Sequence, residues 1–371
     1  MTSLLGDDGE SRETEHYDRE DDGTVQCRVC PRNCVIPSGE RGICDVRANR
    51  DGDLVLTTHG RAVSTSIDPI EKKPLFHVAP GSDVLSVATK GCNLQCDFCQ
   101  NYRIAIEHEG VRQADRPPET LADRVAEGDI DGLAYTYTEP TIFMEYALDA
   151  MRAAPDDALQ VFVTNGYTSE ETIETLSKHL DAVNVDIKGD REFYREHAGV
   201  PDPEPIFESV EQYAERDVHV EVTNLIIPGE NDDEASIRER MRWLAEEVGR
   251  DVPVHVSRFH PDYELRDVPP TPIETLERAM EIAREEGLRY VYCGNVSGHD
   301  SESTYCPSCG ELVIRRNGFA IEAVDLDDGG CPACGHEIPI RGRSGGRPTG
   351  DAVDRSCDAT VRDANAPHDR T

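Results

Sequence analysis

The sequence is poor in lysine and has no long apolar run. Of 38 basic residues only five are lysine: Lys72, Lys73, Lys90, Lys178 and Lys188. No stretch of 18 or more apolar residues occurs, which excludes a helix that spans a membrane. The opening MTSLLGDDGESRETEHYDREDDG has no apolar core of a secretory signal, so a soluble, cytoplasmic protein is expected. The formal net charge is -36. Acid spread along the whole chain, with arginine in place of lysine, is the pattern of a halophilic protein whose surface charge is screened by salt. A mesophilic protein with acidic tails is the alternative. Such a charge also disfavours loose binding to nucleic acid.

Thirteen cysteines are present, eleven of them in three groups. Cys27, Cys30, Cys34 and Cys44 form the first, Cys92, Cys96 and Cys99 the second, and Cys306, Cys309, Cys331 and Cys334 the third. Cys293 and Cys357 stand alone. In a chain without a secretory signal, such grouping reads as metal ligation rather than disulfides.

Residues 1–23 are expected to form a disordered acidic tail, and 24–80 a four-cysteine segment with short strands. The low-complexity end 341–371 is expected to be a second disordered tail. Between them, apolar runs at 84–89, 132–137, 159–164, 182–187, 218–227, 252–259 and 289–293 alternate with helical patterns. Thr168 with Glu171 has capping-box spacing, and the helices "DEASIRERMRWLAEEVG" and "TPIETLERAMEIAREEG" end at glycine. This alternation predicts an α/β fold with a parallel sheet and right-handed crossovers. Seven strands over 81–300 are few for a closed eight-stranded barrel, so a partial (βα) barrel is expected, with a doubly wound sheet as the alternative.

In either fold the chemistry lies at the carboxyl ends of the strands. "KGCNLQCDFCQN" follows the first strand, "TEPT" the second, "TNGY" the third and "DIKGD" the fourth. Thr138, Glu139, Asn165, Asp186 and Lys188 are therefore expected to converge with the three cysteines. Thiolates select soft metals and iron–sulfur clusters. A 4Fe-4S cube held by three cysteines keeps one iron open to a further ligand. A closed site completed by Cys293 is the alternative.

"GCNLQCDFCQN" resembles the signature loop of radical S-adenosylmethionine (radical SAM) enzymes. The resemblance implies that Cys92, Cys96 and Cys99 bind a 4Fe-4S cluster whose open iron takes the amino and carboxylate groups of SAM. It implies Phe98 on the adenine side, and Thr138, Glu139 and Pro140 beside the SAM amino group; Thr138 stands where glycine is more usual. "VTNGY" and "VDIKGD" resemble strand ends of the pyruvate formate-lyase activating enzyme group, making Asn165, Asp186 and Lys188 SAM or substrate contacts. "CRVCPRNCVIPSGERGICDVRAN", "PIEKKPLFHVAPG", "YTYTEPTIF" and "VYCGNV" together resemble the radical SAM member of the AmmeMemoRadiSam system, over most of residues 25–340. Implied partners are a reductant such as ferredoxin or flavodoxin, and Memo-like and AMMECR-like proteins. The implied chemistry is reductive cleavage of SAM to a 5′-deoxyadenosyl radical that abstracts hydrogen from a substrate, with a polypeptide favoured.

"CPSCG" and "CPACG", separated by a strand-like segment, predict a zinc ribbon at 301–340, with a mononuclear iron as the alternative. The first group, less regularly spaced, suits zinc or an auxiliary iron–sulfur cluster. His77 and His260 are expected to be structural rather than catalytic. Lys72 and Lys73 suit either a specific anionic contact or a plain surface pair. The rival reading of the whole chain is a non-enzymatic iron–sulfur and zinc protein that carries electrons or scaffolds partners.

Overall fold

The computed structural model describes residues 11–296 and 298–342. Its main sheet has eight strands: β1 (Ser64–Pro69), β2 (Asp83–Ala88), β3 (Gly132–Tyr135), β4 (Leu159–Thr164), β5 (Ala182–Asp186), β6 (His219–Ile226), β7 (Val254–Arg258) and β8 (Val291–Gly294). From β2 to β8 the strands are parallel and lie in the order of the chain, and β1 pairs antiparallel with β2 at the edge. A doubly wound sheet reverses its strand order at a switch point. Here the order never reverses, so every crossover steps the same way, as in a barrel. No pairing joins β1 to β8 among the described residues, and the barrel is open.

Helices fill the crossovers: α1 (Pro118–Ala126), α2 (Met144–Ala153), α3 (Glu170–Leu176), α4 (Arg191–His197), α5 (Glu204–Glu215), α6 (Glu234–Trp243) and α7 (Ile273–Glu285). Side chains alternate along each strand. Leu85, Val87, Leu133 and Tyr135 join the helix-side core, whereas Val84, Ala134, Val161 and Ala182 face inward onto Ile70, Leu75, Val78 and Ala79. The segment 70–79 thus plugs the barrel floor. The cap of α3 is Ser169, whose hydroxyl accepts from Thr172 N, not Thr168 as its spacing to Glu171 suggests. The Thr168 hydroxyl is engaged with that of Thr141 at 2.7 Å.

Residues 11–23, expected to belong to the acidic tail, form short strands and turns. Arg12–Glu13 pairs with Asp53–Leu56, and Tyr17–Arg19 with Val25–Cys27. Thr14 and His16 are buried, so these residues pack although their neighbours are acidic. The sheet likewise begins before residue 81, because β1 belongs to it. Of the tail expected at 341–371, Arg341 is held by Asp217 and the His77 carbonyl. Residues 343–371, with Cys357, lie outside the described residues. No helix among the described residues is long and apolar enough to cross a membrane.

Candidate active site

The three-cysteine loop leaves β2 at the carboxyl end of the sheet. Gly91 has φ +89, and a Cβ there would collide with the carbonyl oxygen of Cys44. The glycine lets the loop turn under the N-terminal segment. The loop backbone is fixed on its far side by Gln95 N donating to Ala198 O and Asp97 N to His197 O, at 3.1 and 2.9 Å. Burial pushes the Cys96 and Cys99 thiols up to about 12, and Cys92 up as well. Buried thiols of this kind ionise when a cation takes the proton's place. Among the described residues the trio is not one of the groups whose sulfurs all lie within 4.8 Å, so its spacing suits a polynuclear cluster better than a single ion.

Cys92 is tied to the next two strand ends. Leu94 N lies 3.4 Å and Asn165 Nδ2 3.8 Å from its sulfur. Asn165, just after β4, also donates to Asn93 Oδ1 at 2.9 Å. Its backbone N–H donates to Glu139 Oε2 at 2.8 Å, while Glu139 Oε1 accepts from Thr164 Oγ1 at 2.7 Å and Thr141 N at 3.0 Å. Burial raises the Glu139 carboxyl, against the hydrogen bonds from Thr141, Asn165 and Thr164 that favour its charge. Three of its acceptor positions are therefore spent on protein. Thr138 donates to Thr89 O at 2.8 Å, and Pro140 opens the single turn Pro140–Phe143 that Glu139 caps.

Beyond β5, Lys188 Nζ donates to Asp186 Oδ2 at 2.7 Å and stands 5.6 Å from the centroid of the Phe98 ring. Burial opposes the Lys188 charge, but Asp186 and the neighbouring Cys96 hold its ammonium above the usual range. Phe98 is itself buried against Phe193, ring centroids 5.5 Å apart. The structure thus brings Phe98, Thr138, Glu139, Pro140, Asn165, Asp186 and Lys188 to the same end of the sheet as the loop. Cys293 is elsewhere. It shares the helix-facing side of β8 with Val291, opposite Val256, and the charges around it are Glu302, Glu277 and Arg258.

Two features were not legible beforehand. Asn93 links Cys92 to Asn165 and donates to Tyr167 O at 2.8 Å. Tyr137, just after β3, has φ +66 and donates to Asp68 Oδ2 at 2.5 Å. Asp68 also takes Lys72, Lys73 and Ser86 at 2.7, 2.8 and 2.6 Å. Burial pulls the Lys73 ammonium down to about 8, against the attraction of Asp68. The scarcity of lysine pointed to residues 72 and 73, but nothing pointed to Asp68. His77, on the floor, lies between Pro339 O at 3.0 Å and the Tyr292 hydroxyl at 2.6 Å. His260 is exposed.

The C-terminal quartet caps the opposite, amino end of the barrel. Its strands Leu312–Asn317 and Ala320–Val324 pair, and Cys306, Cys331, Val313 and Ile314 pack with Phe76, Tyr290 and Tyr292. All four sulfurs lie within 4.8 Å of one another, with Cys306–Cys334 and Cys309–Cys331 at 3.6 Å. A metal–sulfur bond of about 2.3 Å puts tetrahedral sulfurs about 3.8 Å apart. The quartet therefore fits one tetrahedral ion.

Known proteins resemble this chain over the same segment. Residues 86–244 match the radical SAM superfamily. An uncharacterized protein of Methanocaldococcus jannaschii is 43% identical over 333 residues, 89% of this chain and 99% of its own length. The pyruvate formate-lyase 1-activating enzyme of Escherichia coli is 23% identical over 221 residues, 55% of this chain and 89% of its own. A radical SAM methyltransferase from Sphaerobacter thermophilus superposes with a TM-score of 0.46 at 16% identity, over 63% of this chain and 71% of that one. A radical SAM domain implies a 4Fe-4S cluster and SAM, and the loop and strand ends offer residues for both. Residues 86–244 form a radical SAM domain, and the chain belongs to the same family as the M. jannaschii protein.

Proposed function

We propose that the protein is a radical SAM enzyme of the activating-enzyme kind, acting on a polypeptide, and that Cys92, Cys96 and Cys99 hold its cluster. One observation carries this reading: three thiols lie on the loop at the sheet mouth, Cys92 is tied through Asn165 to Glu139 on the adjoining strand ends, and Cys293 faces away. With Cys293 turned away, Cys92, Cys96 and Cys99 would hold the cluster and leave one iron for SAM. When bound, the cluster supplies one electron to SAM, whose cleavage yields the 5′-deoxyadenosyl radical.

The chain's own residues orient and enclose the reactants. Glu139 and Asn165 fix the loop against β3 and β4, with one Glu139 acceptor position left for the SAM amino group. Asp186 and Lys188, with Phe98, form the wall on the β5 side. Asp68, Lys73 and Tyr137 set buried polar groups on the β2 side, where they can orient a substrate and hold a proton. The 23% likeness to the E. coli activating enzyme supports a polypeptide as substrate. The motif set resembling the AmmeMemoRadiSam member supports Memo-like and AMMECR-like partners, and a ferredoxin or flavodoxin fits the need for a one-electron donor. The C-terminal quartet would hold a structural zinc, and the acidic surface suits a halophilic cytoplasm.

Electron paramagnetic resonance of the reduced, reconstituted protein tests this reading. SAM should perturb the cluster signal, and 5′-deoxyadenosine should form anaerobically. A spectrum unchanged at saturating SAM would refute it.

A further inference from the structure

The first cysteine group differs from the C-terminal quartet in one physical respect. Cys27, Cys30, Cys34 and Cys44 line one cavity, yet they do not close on a single point. Among the described residues the C-terminal quartet is the one group of three or more ligands whose atoms all lie within 4.8 Å. In a single-ion tetrahedron the sulfurs stand about 2.3 Å from the centre and about 3.8 Å from one another, closer than any three of these four come together. Apart from Arg47 and Asn93, the remaining walls are valine, isoleucine and glycine. Four thiols spread around a largely apolar cavity, too far apart for one tetrahedral ion, suit a polynuclear core.

We propose that Cys27, Cys30, Cys34 and Cys44 hold a second iron–sulfur cluster, which relays electrons to the loop centre. The connecting residue is Asn93. It is fully buried, lines the cavity, and follows Cys92 directly in the chain. Its side chain reaches Cys30 on one side and Asn165, the neighbour of the Cys92 sulfur, on the other. One residue thus spans the two thiol groups. Arg47 is also buried, beside Cys27 and Cys44, and its guanidinium offsets the negative charge that four thiolates bring. On the other side the group approaches the surface: Cys34 is half-buried, and Val35 and Ile43 are 64% and 48% exposed.

The electron balance is simple. A reduced carrier of the ferredoxin or flavodoxin class loses one electron to the second cluster, which passes one electron on to the loop centre and returns to its oxidised state. No bond is made or broken and no proton moves. The relay rests on the proposed radical chemistry; the second cluster does not.

The full-length Cys92→Ala/Cys96→Ala/Cys99→Ala variant, reconstituted anaerobically, tests the site by metal content and spectrum. Expected are about four irons per chain with a cluster signal on reduction, and zinc near one per chain. A folded triple variant free of iron, with zinc near two per chain, would overturn the proposal. The Cys30→Ser/Cys34→Ser variant is the second arm. Its iron should fall from about eight to about four per chain with zinc unchanged, and reduction of the loop cluster by reduced flavodoxin should slow at least tenfold. A fall in zinc at constant iron again overturns the site, and an unslowed reduction overturns the relay. If SAM leaves the wild-type spectrum unchanged while the triple variant keeps its iron, the radical reading fails and the second cluster stands.

Discussion

Glu139→Gln keeps the shape of the buried side chain and removes its charge. Oε2 accepts from Asn165 N, and Oε1 from Thr141 N and Thr164 Oγ1. Glutamine can keep its carbonyl oxygen at the Oε1 position and retain two of these bonds. Its NH2 then faces the Asn165 N–H, so one charge-assisted bond is lost and two donors are left opposed. Such a loss costs about 1.5–3 kcal/mol. Removing the charge returns part of the desolvation penalty that raises this carboxyl, leaving a net cost of about 2 kcal/mol. At roughly 2–4 °C per kcal/mol for a domain of this scale, Tm should fall by about 4–8 °C. Thr164→Val removes a donor to Glu139 and the acceptor of Gly166 N at 3.1 Å, and should cost about 2–3 kcal/mol. The assay is thermal unfolding of the reconstituted protein under anaerobic conditions, paired with SAM titration of the cluster signal. Because Asn165 also positions the Cys92 sulfur, SAM affinity should weaken in Glu139→Gln and hold in Thr164→Val. A Glu139→Gln protein that melts within about 1 °C of wild type and binds SAM normally would refute the clamp.

The sheet was legible because most of its strands are buried on both faces and read as continuous apolar runs. Residues 159–164 are all of β4 for that reason. β1 was missed for the opposite one. "STSIDP" has one large apolar residue and ends in proline, yet an edge strand tolerates both, since one side of its ladder is free. Its buried Asp68 is held by Ser66, Lys72, Lys73, Ser86 and Tyr137, partners that lie as far away in the chain as residue 137. At the start of α3, Thr168 and Ser169 are equally good caps by side chain. Backbone geometry decides between them, and Ser169 is extended at φ -75, ψ 153.

The site divides along the same line. Loop cysteines and strand ends are contiguous in sequence, so the pattern of runs was enough to nominate them. Which of their atoms were already spoken for was not readable, because that depends on pairs such as Asn93–Asn165 and Glu139–Thr164. The strand parity that turns Cys293 toward α7 follows from register. A one-residue slip would have turned it inward, and a sequence alone does not fix that choice.

Further outcomes follow from the charges and metals. Replacing Cys306 and Cys309 by Ser should remove zinc, leave iron, and lower Tm, since Cys306 packs in the cluster that closes the barrel floor and a structural ion contributes folding energy; unchanged zinc would count against the quartet. Raising KCl from dilute to molar should raise Tm at a net charge of -36, by screening repulsion; a flat response would contradict the halophilic reading. Burial holds His77 down at about 3, and His219 and His255 outweigh burial to hold Glu221 well below the carboxylate range. The folded state therefore binds fewer protons than the unfolded one below about pH 6.5, and stability should fall on acidification by about 1.4 kcal/mol per pH unit per proton. Burial raises Glu71 to about 7, which opposes this trend from pH 7 to 4.5, so the steep loss should begin below about pH 4.5; urea unfolding from pH 7 to 4 reads it, and a rising midpoint below pH 4.5 would refute it. The last outcome concerns Arg47 and Glu145, a two-bonded ion pair at 2.9 and 2.7 Å that joins the first cysteine group to α2. Arg47→Met leaves a buried carboxylate without its partner and should cost about 3–5 kcal/mol, whereas Arg47→Met with Glu145→Leu removes both charges and should recover most of that loss. If the double variant were as unstable as the single one, the cost would come from lost packing at Arg47, and the pair would not be what fastens the segment to the barrel.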